Sequence, residues 1–579
     1  MKTTLKYYKR YIPVIILILL FLFGQAMCEL ALPGYMSDII NDGIVKGDMD
    51  YIRKTGLIMI GIAAATAVCA VLGSMLAARV AAQSSRDIRK SLFEKVTSFS
   101  AAELEQFSTA SLITRSTNDV QMVQQTTVLT LRLACFAPIM GIGAIIRALN
   151  TSVSLSWTVG VALLVIVVIM VMMFFMVLPK FKVLQNKLDR LNLIMKERLS
   201  GILVIRAFTT EKNEEKRFDI ANRDLTKINL FVNKAMSFMM PSLMFVMNGV
   251  SILIVWAGAH LIDDGSLMIG DMLAYLQYAM HVIMSFLFIT MMFIMIPRAF
   301  VSAQRIGAVL DVEPTVRDRE QTVTLADAKG RVEFRDVSFA YPDAEEKTLD
   351  DISFTAEPGK TTAIIGGTGC GKSTLISLIP RFYDVTEGSI TLDGIDVRDM
   401  KQHDLRENIG YVPQKGLLFS GTIGTNLQYG REDATLAEMT DAAETAQAME
   451  FISEKENGFD EEVSQGGTNV SGGQKQRLSI ARALVKKPKV YIFDDSFSAL
   501  DFRTDKALRE ALSEKVGDST IIIVAQRINT IIDADQIIVL EEGRIAGRGT
   551  HEELLANCSV YKEIALSQLS EKELERGRA

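Results

Sequence analysis

The residues best suited to chemistry stand in one run: Gly366, Gly367, Thr368, Gly369, Cys370, Gly371, Lys372, Ser373 and Thr374. An apolar segment, Thr362-Ala-Ile-Ile, precedes them, and a helical pattern, Leu375-Ile-Ser-Leu-Ile, follows. A glycine-rich turn between a strand and a helix is a phosphate-binding loop. Its glycines let backbone N–H groups close around phosphate oxygens, and the helix N-terminus adds partial positive charge. In such a loop Lys372 reaches the β and γ phosphates and the Ser373 hydroxyl ligates Mg²⁺. A second apolar run, Val490-Tyr-Ile-Phe-Asp494, ends in a carboxylate suited to hold that Mg²⁺. ATP and Mg²⁺ are the expected ligands. Cys370 is either a redox handle, its thiolate favoured by the loop's N–H groups and Lys372, or a small filler.

The elements that must position this loop lie in a chain of two unlike halves. The 579 residues are 49% hydrophobic and 22% charged, with a net charge of -6. Most of the apolar excess precedes residue 300. This excludes a disordered chain, a small disulfide scaffold and a purely soluble enzyme. Without an excess of Lys and Arg, nucleic acid is not the expected partner. The five cysteines, at 28, 69, 135, 370 and 558, show no paired spacing, so neither a disulfide framework nor a zinc site is expected.

Six uncharged stretches stand out, five of which approach or exceed the roughly 20 residues a membrane helix needs: Tyr11–Cys28, Thr55–Ala78, Leu133–Ile146, Ala148–Pro179, Ala235–Ile262 and Met272–Pro297. The third is short, with Arg132 and Arg147 placed to snorkel to the interfaces. A cleaved leader competes for the first stretch, whose apolar run ends in Gly24-Gln25-Ala26. Lys and Arg crowd the N-terminus and the segments after spans two and four, which predicts those parts, and the C-terminal half, on the cytoplasmic side of the cytoplasmic membrane. The two long inside segments, 79–132 and 180–234, show helical spacing and turn near 99–107 and 208–218, where aromatic and charged residues mix as on a docking surface. Methionines crowd the later spans, as suits a surface that adapts to several apolar ligands. Among the rarer polar residues of the spans, Glu29, Asn248, Gln277 and His281 are the candidates for substrate contact, with Gln25 beside them.

A further motif, Ser471-Gly472-Gly473-Gln474-Lys-Gln-Arg, lies between the two nucleotide motifs. Gln414 follows an apolar run, Ile409-Gly-Tyr-Val-Pro; Ser498-Ala-Leu-Asp501 lies downstream; Tyr341 lies upstream in Val337-Ser-Phe-Ala-Tyr-Pro. In these motifs and their order the chain resembles the ATP-binding cassette (ABC) transporters. The membrane half is similar to the exporter branch, through Leu112-Ile-Thr-Arg-Ser-Thr-Asn-Asp-Val and Leu199-Ser-Gly-Ile-Leu-Val-Ile-Arg-Ala-Phe. The resemblance implies an all-α six-helix transmembrane domain of the type I (type IV) exporter fold, followed by an α/β P-loop nucleotide-binding domain. The expected boundaries are 1–310 for the membrane domain, 311–328 for a linker, 329–570 for the nucleotide-binding domain and 571–579 for a charged tail. It also implies that Tyr341 stacks on adenine, that Gln414 joins Ser373 and Asp494 at Mg²⁺, and that Ser471, Gly472, Gly473, Gln474 and Asp501 serve nucleotide. The turning points become coupling helices that dock on nucleotide domains. Since ATP in this family lies between the P-loop of one domain and the signature of another, a second half-transporter is implied.

Two departures from the family pattern matter most. Asp495 stands where Glu usually polarises the attacking water, and its side chain is shorter by one methylene, roughly 1.5 Å. Gln526, in Ile522-Ile-Val-Ala-Gln-Arg, stands where the switch His is usual; it can donate but cannot titrate near neutrality. Together they predict a P-loop site that binds ATP and hydrolyses it slowly, beside an intact signature that serves a different partner with the usual Glu and His. Val470 replaces the usual Leu before the signature, and Val463-Ser-Gln-Gly-Gly replaces the usual Gly-Glu. The expected function is export of amphipathic or apolar compounds. Alternatives are a lipid or peptide exporter, a homodimer, or a nucleotide-gated regulator that does not pump.

Overall fold

The computed structural model describes residues 5–325, 327–342 and 344–569, so the tail expected at 571–579 lies outside the described residues. The chain divides into two compact units. The first holds Met1–Lys95 and Ala110–Val312, and the second holds Val96–Thr109 and Glu313–Ala579. The expected membrane domain of 1–310 is thus interrupted, because residues 96–109 pack with the second unit.

The first unit is built on long helices: α1 (Ile12–Asp38), α2 (Met49–Thr97), a broken third segment (Thr109–Thr151) whose apolar part is Cys135–Thr151, α5 (Ser156–Ser200), α7 (Glu211–Asp263) and α8 (Ile269–Leu310). The short helices Ala101–Gln106, Cys135–Thr151 and Ile202–Ala207 are α3, α4 and α6. Among the described residues, six segments are long and apolar enough to cross a membrane. At about 1.5 Å per residue, the 49-residue α2 spans about 74 Å, more than twice the ~30 Å of a hydrocarbon core. The helices therefore carry their polar ends well beyond a bilayer, as the charged segments after spans two and four predict. The apolar stretch beginning at Ala148 does not start a helix there. The break falls at Ser152, which is extended, after Asn150-Thr151.

A core of small and branched residues joins α1, α4, α7 and α8, including Ala26, Leu30, Ala144, Val250, Ala279 and Val282. Outside it, large apolar residues such as Leu20, Ile60 and Phe245 stay exposed, the surface expected of helices that face lipid.

The described residues of the second unit form two sheets and a short pair. One sheet, in the order β2-β1-β4-β5, is antiparallel and comprises β1 (Val332–Phe339), β2 (Leu349–Ala356), β4 (Glu387–Leu392) and β5 (Ile395–Asp396). β7 (Gly421–Thr422) pairs with β8 (Glu462–Val463). The larger sheet runs β12-β11-β3-β10-β9-β6. Its strands are β3 (Thr361–Gly366), β6 (Ile409–Val412), β9 (Val490–Asp494), β10 (Thr520–Val524), β11 (Gln536–Glu541) and β12 (Arg544–Gly549). All neighbours are parallel except β12 on β11. β9 and β10 are buried at every position, which is why their sequences read as unbroken apolar runs.

Candidate nucleotide site

β3, β10, β9 and β6 are successive in the sheet, and each ends at a residue of interest. The phosphate loop follows β3, Gln526 follows β10, Asp494 ends β9 with Asp495 beyond it, and Gln414 follows β6. One carboxyl edge thus gathers four motifs that lie far apart in the chain, the usual place for a ligand in an open parallel sheet.

The loop opens onto α9 (Lys372–Leu378). Gly371 has a φ of 97°, and a Cβ there would meet Leu349 at 2.8 Å, so glycine is required by both conformation and space. A Cβ on Gly366 would fall 2.1 Å from the Leu540 carbonyl. Cβ atoms on Gly367 and Gly369 would meet nothing within 4 Å, so this side of the loop is open for a ligand. Lys372 Nζ donates to the carbonyls of Gly366 and Gly367 at 2.8 and 2.6 Å. Cys370 is buried behind the loop, its Sγ 3.7 Å from the same ammonium and close against Gly366, the position of a space-filling residue.

The Ser373 hydroxyl donates to Asp494 Oδ1 at 3.0 Å, which brings the two expected Mg²⁺ ligands together. Among the described residues no group of three or more His, Cys, Asp or Glu converges on a metal. The pair still fits Mg²⁺, which takes few protein ligands and fills its octahedron with phosphate and water. Burial pushes the Asp494 carboxyl above the usual range; the Ser373 hydroxyl opposes this and the charge of Asp495 adds to it. Tyr411 also donates to Asp494, and burial with that neighbouring charge holds its phenol far above the ordinary value.

Asp495 is buried, sits at a φ of 47°, and donates its N–H to the Val524 carbonyl across the sheet edge. Its Oδ2 accepts two amide hydrogen bonds, from Gln526 Nε2 at 2.8 Å and from Gln414 Nε2 at 3.1 Å. Both departures predicted to slow hydrolysis are therefore bonded to each other, and Gln414 is spent on the same oxygen. The Tyr341 hydroxyl lies 3.0 Å from Thr374 Oγ1, with its ring edge-on to Phe339 and Tyr383.

Comparison with known proteins agrees with this geometry. The family profile described as "ABC transporter transmembrane region" matches residues 15–286, and that described as "ABC transporter" matches 349–498. An uncharacterized ABC transporter ATP-binding protein of Bacillus subtilis, YfiB, is 41% identical over 573 residues, which is 98% of each chain. The chain belongs to the ABC transporters. An ATP-dependent lipid A-core flippase of Desulfotalea psychrophila is 32% identical over 90% of this chain and 91% of its own length. The solved structure of a bacterial Atm1-family ABC exporter with ATP bound superposes with a TM-score of 0.79 at 26% identity, over 97% of this chain and 99% of that one. This is an ABC exporter half-transporter: six spans and one ABC ATPase domain.

The remaining family motifs are placed as follows. Ser471 caps α10 (Gly472–Lys486) in a capping box with Gln474, and the helix N-terminus is exposed. A Cβ on Gly472 would meet nothing within 4 Å, while one on Gly473 would touch the Ala499 carbonyl at 3.3 Å. Asp501 caps its own following helix, accepting from Thr504 N–H at 3.0 Å and its hydroxyl at 2.7 Å. Two residues that hold this site were missed in the sequence. Buried Gln476 accepts from Gly416 N–H at 3.0 Å and donates to the Pro413 carbonyl at 3.1 Å, tying α10 to the segment that carries Gln414. Tyr383 donates to Glu105 of α3 at 2.9 Å. Gln476 stands inside the quoted signature run, whereas nothing in the spacing of Tyr383 marks it.

α3 is held in the second unit by further contacts. Glu103 accepts from Ser100 N–H at 2.7 Å and from Thr315 N–H at 2.9 Å, and Ala101 and Ala102 pack on the core of β1, β2 and β4. Of the span residues, Gln25 donates to Glu29 at 2.9 Å, and His281 is half-buried on α8. Gln277 is exposed one turn from His281, and Asn248 is exposed on α7; among the described residues neither is hydrogen-bonded through its side chain.

Proposed function

We propose that this chain is the slowly hydrolysing subunit of a two-chain ABC exporter for amphipathic or apolar compounds, set in the cytoplasmic membrane with its nucleotide-binding domain in the cytoplasm. The observation that carries the reading is the clamp on Asp495. A carboxylate that must accept a proton from water is instead bound by two amide donors, Gln526 and Gln414. Lys372, Ser373, Asp494 and Tyr341 keep what ATP binding needs. Bound Mg²⁺–ATP would supply the phosphoryl group and its neutralising cation. Ser471, Gly473 and Gln474, at the start of α10 where Ser471 and Gly472 are exposed, would then complete the site of a partner that carries Glu and His in place of Asp495 and Gln526. The excess of Lys and Arg at the N-terminus and after spans two and four supports the orientation.

The test is ATPase activity of the purified chain alone and with candidate half-transporters. Full turnover by the lone chain refutes the two-chain reading. A second reading, a lipid flippase, draws on the flippase relative at 32% identity. ATP-driven movement of a fluorescent lipid across proteoliposomes, with no movement of a soluble dye, would favour it.

A further inference from the structure

Two contacts fix how α1 and α8 pass each other. The Ser37 hydroxyl donates to Asp271 Oδ1 at 2.6 Å, and the Tyr278 hydroxyl donates to the Leu30 carbonyl at 3.3 Å. Seven residues back along α1 and seven forward along α8 lead from one contact to the other, so the helices run antiparallel and in step. Three residues beyond Tyr278, His281 stands at the level of Met27, between Gln25 and Glu29. Glu29 is the carboxylate whose field reaches His281, and the Gln25 amide bonded to it holds it on that face of α1.

All three side chains are half-buried, on the flank of a core that takes Ala26, Leu30, Ala279 and Val282. Among the described residues Glu29 has no salt bridge, and the His281 ring has no hydrogen bond. Arg147 of α4 acts on Tyr278, one turn away from His281, but is itself exposed. Arg132 lies before the start of α4. A carboxylate inside a membrane span is expensive unless it meets a cavity or a counter-charge, and this one has no fixed cation of its own. Met27 precedes it by two residues on α1, and Met280 and Met284 flank His281 in the sequence of α8; flexible thioethers adapt to apolar bodies of varied shape.

We propose that Glu29, oriented by Gln25 and faced by His281, is the counter-charge for the cationic head of an amphipathic substrate. The substrate class is the lipophilic organic cation. Among the described residues no salt bridge compensates Glu29, and the methionines take the apolar body. This rests on the export reading above and adds a charge preference to it.

Tetraphenylphosphonium and tetraphenylborate test it, since they share a shape and differ in sign. The complete exporter in proteoliposomes is expected to bind the cation at least tenfold more tightly than the anion. Glu29→Gln should abolish that preference and lower the ratio of phosphonium transport to transport of an uncharged dye at least tenfold. Glu29→Asp should keep the preference. His281→Lys, which supplies a fixed cation to Glu29, should lose it, and serves if Glu29→Gln fails to assemble. Equal binding of the two ions by the unaltered protein, or a preference that survives both Glu29→Gln and His281→Lys, overturns the inference and leaves export standing. If the unaltered protein moves none of the three probes with ATP, the reading as an exporter of amphipathic or apolar compounds is itself refuted.

Discussion

Replacing Asp495 by Glu and Gln526 by His should release the brake on hydrolysis at this chain's own site. In the present geometry one oxygen, Asp495 Oδ2, receives the Gln526 amide at 2.8 Å and the Gln414 amide at 3.1 Å. A hydrogen bond to a charged group is worth about 1.5–3 kcal/mol, so freeing one donor corresponds to roughly 10- to 150-fold in rate. The added methylene advances the carboxylate by roughly 1.5 Å, and a misplacement near 1 Å costs about 100-fold. The two effects overlap, because a carboxylate released from the clamp is also the one that moves forward. The expected gain is about 100-fold. The assay is steady-state phosphate release in nanodiscs, by the chain alone and beside a partner whose P-loop Lys is replaced, so that the engineered site alone turns over. The histidine should also bring a pH dependence with a midpoint near its unperturbed value of about 6.5. A change below threefold in the double variant would refute the argument, because the clamp would then not be what limits the rate.

Three other outcomes follow from the same structure. Lys372→Ala should weaken binding of a fluorescent ATP analogue at least tenfold, since the loop loses its one ammonium at the phosphates; unchanged affinity would contradict the site. Asp494→Asn should abolish Mg²⁺-dependent hydrolysis yet raise the melting temperature at pH 7 by about 2–4 °C. Its folded-state carboxyl is raised above the unfolded value, so stability is lost as pH rises through that window, and removing the charge restores it. A lower melting temperature would count against this. Tyr383→Phe removes the bond to exposed Glu105 and should cost about 0.5–1.5 kcal/mol in the nucleotide-binding unit by urea denaturation. An effect below 0.5 kcal/mol would show that the bond contributes nothing there.

The sequence displayed the nucleotide motifs almost completely, because each sits on a turn at the end of an apolar strand and needs particular residue types. Gly371 is readable for that reason: both its φ and the approach of Leu349 demand glycine. The six spans were legible from length and charge alone. What spacing could not show was which polar atoms meet. Asp495 and Gln526 each departed from a pattern, but their bond, and the share Gln414 takes in it, depend on β6, β9 and β10 lying side by side. Nor does the motif show that the Asp501 carboxylate caps its own helix through Thr504. The docking of residues 96–109 was legible in part: aromatic and charged residues mix near 99–107, but the groups that receive α3, Thr315 and the core of β1, β2 and β4, lie more than 200 residues away and leave no local trace.

That docking has a consequence for how the chain is made. The segment at 96–109 leaves the ribosome early, but the core that receives Ala101 and Ala102 is encoded from β1 to β4 and beyond. At 5–20 residues per second, the roughly 460 residues up to the end of the described chain take about 20–90 s to follow. For that interval α3 has no surface to rest on, and the membrane helices on either side must hold it in waiting. The same connectivity means that a gene fragment beginning at residue 313 omits a piece of the very body it encodes. Such a fragment would emerge with the seat of α3 bare, a sticky surface and an aggregation risk that including residues 96–109 as a separate peptide should relieve.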